Sequence, residues 1–302
     1  MVSINLAPRP CPICGSSADS RPFAEANVNL DNLDAFAFAS RKLPEYMHWR
    51  LAECGRCDLL YVDQAPSLDE LAALYRDADF DSSIEARLAS LTYAQFLRGI
   101  VTQLPDLAGA ADIGTGDGAF LKELIAAGFR DVVGIEPSSA PIEAADPSVR
   151  PLIRHDIFRP GSFPNGSLSL ITCFQTIEHL ADPLTFCRDA HRALKAGGAL
   201  FLIGHNRRAF SAKVLGRKSP IFDIEHMQLF SPASARNLLK AAGFTKIDVR
   251  PVYNRYPIRY WVRLFPFPTA MKSRLLGFLT TNSLGRLMVP LPAGNLAAIA
   301  YR

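Results

Sequence analysis

The chain has no unbroken run of about eighteen apolar residues, the least that spans a bilayer, so we expect a protein that does not cross a membrane. Residues 1–10 lack the cationic flank and continuous apolar core of a secretory leader, and a cytoplasmic location is the expectation. Long basic tracts are missing too. The 33 Lys and Arg are scattered and stand against 29 Asp and Glu, a formal net charge of +4, so nucleic-acid binding by bulk charge is not expected. No internal repeat or low-complexity segment occurs. With 49% hydrophobic and 21% charged residues the composition is that of an ordinary globular protein, which excludes bulk disorder and fibrous classes. A length of 302 residues accommodates one large α/β domain with a smaller unit attached.

Cysteine is sparse but patterned. Four of the six form two Cys-x-x-Cys pairs, Cys11–Cys14 followed by Gly15 and Cys54–Cys57 enclosing Gly55. Each pair presents two thiolates from one tight turn, and two such turns complete a tetrahedral sulfur shell, so the pattern predicts a structural zinc site with no open position for chemistry. A redox-active or disulfide-forming pair is the alternative, but the chain shows no thioredoxin-like context. The 39 residues between the pairs, 15–53, exceed a minimal zinc ribbon and must hold strands or a helix. Cys173 and Cys187 stand alone in apolar segments and are expected to be buried, inert thiols.

Ser67-Leu68-Asp69-Glu70 predicts a helix N-terminus leading into Leu71, Leu74 and Tyr75. A second amphipathic helix is expected from about Ile84 to Leu104, with Leu88, Leu91, Phe96, Ile100 and Leu104 at helical intervals. From Ala110 short apolar strands alternate with helices: Ala111–Ile113, Val132–Ile135, Leu152–Ile153, Leu168–Phe174 and Ala199–Ile203, with helices at Phe120–Ala127 and Pro183–Leu194. A helix from Ser231 to Ala242 and strands near Lys246–Val252 and Asn295–Tyr301 follow. This alternation predicts an α/β fold with a doubly wound, Rossmann-like parallel sheet.

The first of these strands runs into Asp112-Ile113-Gly114-Thr115-Gly116-Asp117-Gly118. Glycines let backbone amides approach a ligand with no Cβ in the way. The glycines alternate singly, which departs from the Gly-x-Gly-x-x-Gly dinucleotide fingerprint, and no Walker lysine follows, so neither a nicotinamide nor a nucleoside triphosphate site is indicated.

On these residues the segment from about Pro105 to Arg250 resembles the class I, S-adenosylmethionine-dependent methyltransferases. Their first motif, acid-x-Gly-x-Gly-x-Gly, is matched from Asp112 to Gly118. The resemblance implies a seven-stranded methyltransferase sheet with a small N-terminal zinc-binding module. It implies that Asp112, Gly114, Thr115, Gly116 and Gly118 form the cofactor turn, that Glu136 takes the ribose hydroxyls, that Asp156 meets the adenine amino group with Ile157 against the ring, and that Gln175 borders the cofactor. Gln175 opens a segment, through Glu178-His179-Leu180-Ala181-Asp182-Pro183, that resembles the Glu-His-x-x-Asp-Pro stretch of many small-molecule methyltransferases.

Transfer to a hydroxyl or an activated carbon needs a base, and histidine has a suitable intrinsic pKa. His179, His205 and His226 are the candidates; His226 ranks first with Glu225 as partner, because similar Glu-His pairs precede the corresponding helix in the resembled group. That group points to a small-molecule or carbohydrate acceptor and to C- or O-methylation in polysaccharide or secondary metabolism. Tyr75, on a helix with Phe80 that is expected to cover the acceptor pocket, is a candidate contact, with core packing as the plainer expectation for both aromatics. The expected division is a zinc-binding module at 1–65, a helical connector at 66–105 and a transferase domain at 106–302. An aromatic and basic insert, 253–291, is expected to be a soluble cap over the pocket, since its prolines interrupt any long amphipathic helix and make membrane-surface contact the less favoured expectation. The alternatives carried forward are a nicotinamide-type oxidoreductase and a non-catalytic zinc-bearing binding module.

Overall fold

Apolar residues on both faces of successive strands dictate a sheet covered on both sides. The computed structural model describes residues 6–29, 47–67, 70, 83–265 and 267–302. It begins with β1 (Leu6–Pro8), β2 (Ser20–Ala24), β3 (Leu51–Cys54), β4 (Leu59–Val62) and β5 (Gln64–Pro66). Next come α1 (Ser83–Val101), β6 (Ala108–Ile113), α2 (Ala119–Ala126), β7 (Arg130–Glu136), α3 (Ser139–Ala144), β8 (Ile153–His155), β9 (Leu168–Phe174), α4 (Pro183–Ala193) and β10 (Leu194–His205). The chain closes with α5 (Phe210–Leu215), β11 (Gln228–Leu229), α6 (Pro232–Ala241), β12 (Lys246–Pro257), α7 (Ile258–Leu264), α8 (Thr269–Thr281) and β13 (Met288–Tyr301).

Among the described residues the main sheet has seven strands in the order β12-β13-β10-β9-β6-β7-β8. β13 runs antiparallel to β10 and β12, and the remaining pairs are parallel. This is the doubly wound α/β sheet expected from the sequence. Strand alternation sorts the side chains: Ile171, Cys173, Leu200 and Leu202 pack toward α4 and α6, whereas Leu170, Phe201 and Ile203 pack toward α1 and α2. Cys173 and Cys187 are fully buried thiols in the first of these layers. On α1 the buried face is Ala89, Tyr93, Leu97 and Ile100, while Leu91, which fits the helical interval, is exposed.

Helix ends follow the sequence signals. The Asp182 carboxylate accepts from the Thr185 N–H at 2.9 Å ahead of Pro183, and Ser231 and Ser234 form a reciprocal capping box ahead of α6. Ser67 and Glu70 make the same reciprocal pair, the Glu70 carboxylate accepting from the Ser67 N–H at 2.8 Å. Residues 71–82, with Leu71, Leu74, Tyr75 and Phe80, lie outside the described residues.

The cysteine-bearing segment is not self-contained. Its four-stranded sheet runs β11-β4-β3-β2, so residues 228–229 supply an edge strand from far along the chain. Arg9 reinforces the junction by donating to the carbonyls of Met227 at 3.0 Å and Ala181 at 2.6 Å. Across the same junction the buried Arg207 guanidinium pairs with Glu53 at 2.5 Å and with Asp58, and Arg208 reaches Glu53 at 2.9 Å and Asp58 at 2.5 Å, while Arg21 holds Glu53 from within its own sheet at 2.6 Å. Arg208, the Ser231 hydroxyl and Arg207 hold the Asp58 carboxyl at about 2 against the upward push of its burial. Removing one member of a buried pair leaves a charge in low dielectric, so Arg207→Ala should destabilise the fold by about 3 kcal/mol in urea unfolding. Arg208→Ala, at an exposed position, should cost under about 1 kcal/mol.

Candidate active site

The carboxyl ends of the parallel strands place several polar side chains at one edge of the sheet, where ligands bind in doubly wound folds. At the end of β6 the Gly114 and Thr115 N–H groups both donate to the Ile135 carbonyl, tying the turn to β7. Gly114 has φ +70°, and a Cβ there would fall 2.2 Å from Thr176 Oγ1. Gly116 has φ +59° with nothing within 4 Å of its Cβ position, so here the backbone itself faces open space. Asp112 is 3% exposed, and its carboxylate accepts from Thr115 Oγ1 at 2.7 Å and Thr172 Oγ1 at 2.6 Å. Burial pushes its carboxyl up to about 6.

Glu136 ends β7 with one oxygen accepting from the Gly116 N–H and the other from the Ser138 N–H, both at 2.9 Å. Burial raises it as well. A carboxylate offers about four acceptor positions, and the Ser138 hydroxyl together with the two amides takes three of them. Asp156, after β8, is exposed and accepts from the Ile157 N–H at 2.7 Å and from Arg159 at 3.1 Å. Ile157 presents an exposed apolar surface. Gln175, after β9, adopts φ +52°, a conformation costly for a residue with a Cβ, and its amide reaches the Tyr93 hydroxyl at 3.5 Å.

Three histidines gather beyond Gln175. His205 Nδ1 donates to the fully buried Glu178 at 2.7 Å, which leaves Nε2 as the acceptor pole. His226 Nδ1 donates to the Ile221 carbonyl at 2.8 Å, with the same consequence for its Nε2. The His226 ring centroid lies 4.8 Å from that of His205 and 5.0 Å from that of His179. Glu225 lies 3.6 Å from His179 Nδ1. Burial lowers His179 to about 3, helped by His226, and burial with His205 lowers His226. Burial alone would raise Glu178, yet the His205 hydrogen bond and the neighbouring imidazoles hold it at about 2. Its second oxygen is buried without a hydrogen-bond partner among the described atoms, and a Cβ on residue 204 would lie 2.8 Å from it, so the glycine leaves room for the carboxylate.

One cavity of about 1220 Å³ joins these groups. It exceeds the roughly 300–1,000 Å³ usual for a single small ligand and has room for two. Every expected cofactor and catalytic residue lines it except Gly118, which instead stands at the start of α2, where a Cβ would meet Val149 and Ile153.

Two groups among the described residues have metal-ligating geometry: the four cysteines, and Glu178 with His179 and His226, each set with ligand atoms within 4.8 Å of one another. Cys14 and Cys54 Sγ are 3.8 Å apart, far beyond the roughly 2.05 Å of a disulfide. The spacing matches the edge, about 3.8 Å, of a tetrahedron with metal–sulfur bonds of about 2.3 Å. Burial pushes Cys11 up to about 12, so a cation is needed to favour its thiolate.

The methyltransferase-domain family matches residues 92–249, just over half of the chain and the stretch that carries the glycine turn, Glu136, Asp156 and all three clustered histidines, His179, His205 and His226. The chain belongs to the methyltransferase-domain family. It is 33% identical over 146 residues to a probable S-adenosylmethionine-dependent methyltransferase of Mycolicibacterium smegmatis, covering 47% of this chain and 54% of that protein. It is 25% identical over 167 residues to a ubiquinone biosynthesis O-methyltransferase of Psychrobacter arcticus, covering 50% of this chain and 65% of that protein. The chain thus spans between about half and two thirds of the length of these relatives. An S-adenosylmethionine-dependent methyltransferase structure from Archaeoglobus fulgidus superposes with a TM-score of 0.48 at 15% identity, covering 70% of this chain and 94% of that one. Family membership sets aside the nicotinamide-enzyme alternative.

Within this methyltransferase-family site, the residues that motif reasoning left without roles are Tyr93 and Glu178. Tyr93 lies on a helix outside every motif. Glu178 is inside the quoted segment, but its partner is 27 positions away. The two turn glycines should separate by experiment. Gly116→Ala should cost about 1 kcal/mol from its left-handed backbone and weaken S-adenosylmethionine binding in calorimetry. Gly114→Ala, which collides with Thr176, should abolish the cooperative thermal transition.

Proposed function

We propose that this chain transfers a methyl group from S-adenosylmethionine to a hydroxyl or activated carbon of a small-molecule or carbohydrate acceptor. The observation that carries it is the single cavity lined at one end by the glycine turn, Glu136 and Asp156 and at the other by His179, His205 and His226. The turn from Gly114 to Gly116, with Thr115, borders the methionine end of the cofactor and Gln175 stands beside it. Glu136 accepts from the ribose hydroxyls, Asp156 from the adenine amino group, and Ile157 packs on the ring. The bound cofactor supplies an electrophilic methyl on a sulfonium, and the displacement is in line, so the protein's tasks are alignment, exclusion of water and removal of a proton.

For the proton we favour His205 over His226, reversing the order suggested by the sequence. The Glu178 carboxylate behind His205 stabilises the imidazolium that forms, whereas His226 is backed by a carbonyl and its charged form is disfavoured by burial. His226, with His179 and Glu225, then shapes the acceptor side. His205→Ala should lower kcat by about 10²- to 10⁴-fold with the cofactor Kd unchanged. Glu178→Gln should follow it, and His226→Ala should have the smaller effect. A larger loss in His226→Ala would return the base to that residue. The assay is a screen of sugar and phenolic acceptors with radiolabelled cofactor, followed by mass location of the methyl group.

Zinc belongs to the same proposal. With Cys11, Cys14, Cys54 and Cys57 all as thiolates, the shell is closed and the ion stabilises folding. The division into a metal-binding unit (1–65), a connector (66–105) and a transferase unit (106–302) is proposed with it, β11 being lent from the third part to the first. Metal analysis should find one zinc per chain. Cys54→Ser should lose the ion and lower the melting temperature, and a chelator should reproduce that shift in the unaltered protein.

A further inference from the structure

After Asp248 the chain has no Asp or Glu, and it carries eight Lys and Arg up to its last residue, Arg302. A second acid-free stretch, 190–222, holds Lys213, Arg217 and Lys218. These two segments meet at the cavity mouth, where Phe210 and Val214 of α5, Phe265 and Leu291 all border the opening and are all exposed, Phe210 at 80%. Behind them lie α7, α8 and the turn Ser283–Arg286, packed on one another.

A soluble cap would turn its large apolar side chains down onto the site. α7 does so with Tyr260, Trp261 and Leu264, but α8 buries only Leu279, and Met271, Phe278, Leu284 and Leu287 face outward. Arg259, Arg274 and Arg286 are exposed between them. Large apolar side chains interleaved with cations and free of acids match the requirements of an interfacial surface: the apolar groups enter the boundary of a bilayer while the cations meet anionic headgroups. A second copy of the same face would set these cations against each other.

We propose that α5, α7, α8 and the Ser283–Arg286 turn form a docking face for an anionic lipid bilayer, seating the mouth of the cavity at the lipid surface. Docking stands independently of the methyl-transfer reading.

The test is flotation of the full chain with vesicles of phosphatidylcholine alone or with a phosphatidylglycerol fraction. Phe278→Ser and Arg274→Glu are the probes, since neither residue lines the cavity, and Ile125→Ser, exposed on α2, is the control. The unaltered protein and Ile125→Ser should float with the anionic vesicles only, and salt should weaken the association. Arg274→Glu should lower partitioning by about fivefold or more, and Phe278→Ser by about tenfold or more, with melting and S-adenosylmethionine binding unchanged. The proposal is overturned if the folded protein stays with the soluble fraction, if both variants float like the unaltered protein, or if light scattering shows a dimer that Phe278→Ser converts to a monomer.

Discussion

The buried Asp112 carboxylate is the tie on which both ends of the site depend. It accepts from Thr115 in the glycine turn and from Thr172 in β9, so one side chain sets the turn against the strand that continues into Gln175 and Glu178. Two neutral donors in a dry setting make those hydrogen bonds directional and costly to lose. Glu136 repeats the device one strand over, gripping the Gly116 and Ser138 amides. What looks like a set of ligand-binding acids is therefore also the scaffold that keeps bare backbone facing the cavity.

Much of this architecture was legible in the sequence because strands covered on both faces read as continuous apolar runs, as in Leu168–Phe174, and because the acids and glycines sit at strand ends in order. The pairing of histidines with acids was not legible. Glu225 precedes His226 in sequence, yet the loop backbone turns it toward His179, and Glu178 meets His205 across two neighbouring strands. Periodicity carries no information about such loop-set meetings. The lengths of β12 and β13 were missed for a different reason. Pro257, Pro290 and Pro292 lie outside the expected strands, yet they belong to the edge strand and to the part of β13 that extends beyond its pairing with β10, where a missing N–H is tolerated.

The exposed apolar face around α7 and α8 was visible as composition only. Whether Phe278 turns toward the pocket or away from it depends on how two short helices rest on the end of a long two-stranded ribbon, and no local pattern encodes that choice.

The edge strand β11 carries a further consequence. The Val62 N–H donates to the Met227 carbonyl, and the Met227 N–H donates to the Glu178 carbonyl, each at 2.9 Å. A backbone relay three residues deep thus runs from the sulfur-rich lobe through the residue after His226 to the residue before His179. A chain trimmed to the family-matched stretch would keep the glycine turn, Glu136 and Asp156 but lose the outer anchor of that relay, leaving the histidine loop tethered from one side. The amino-terminal lobe thus buttresses the histidine loop from behind, although none of its described residues lines the cavity.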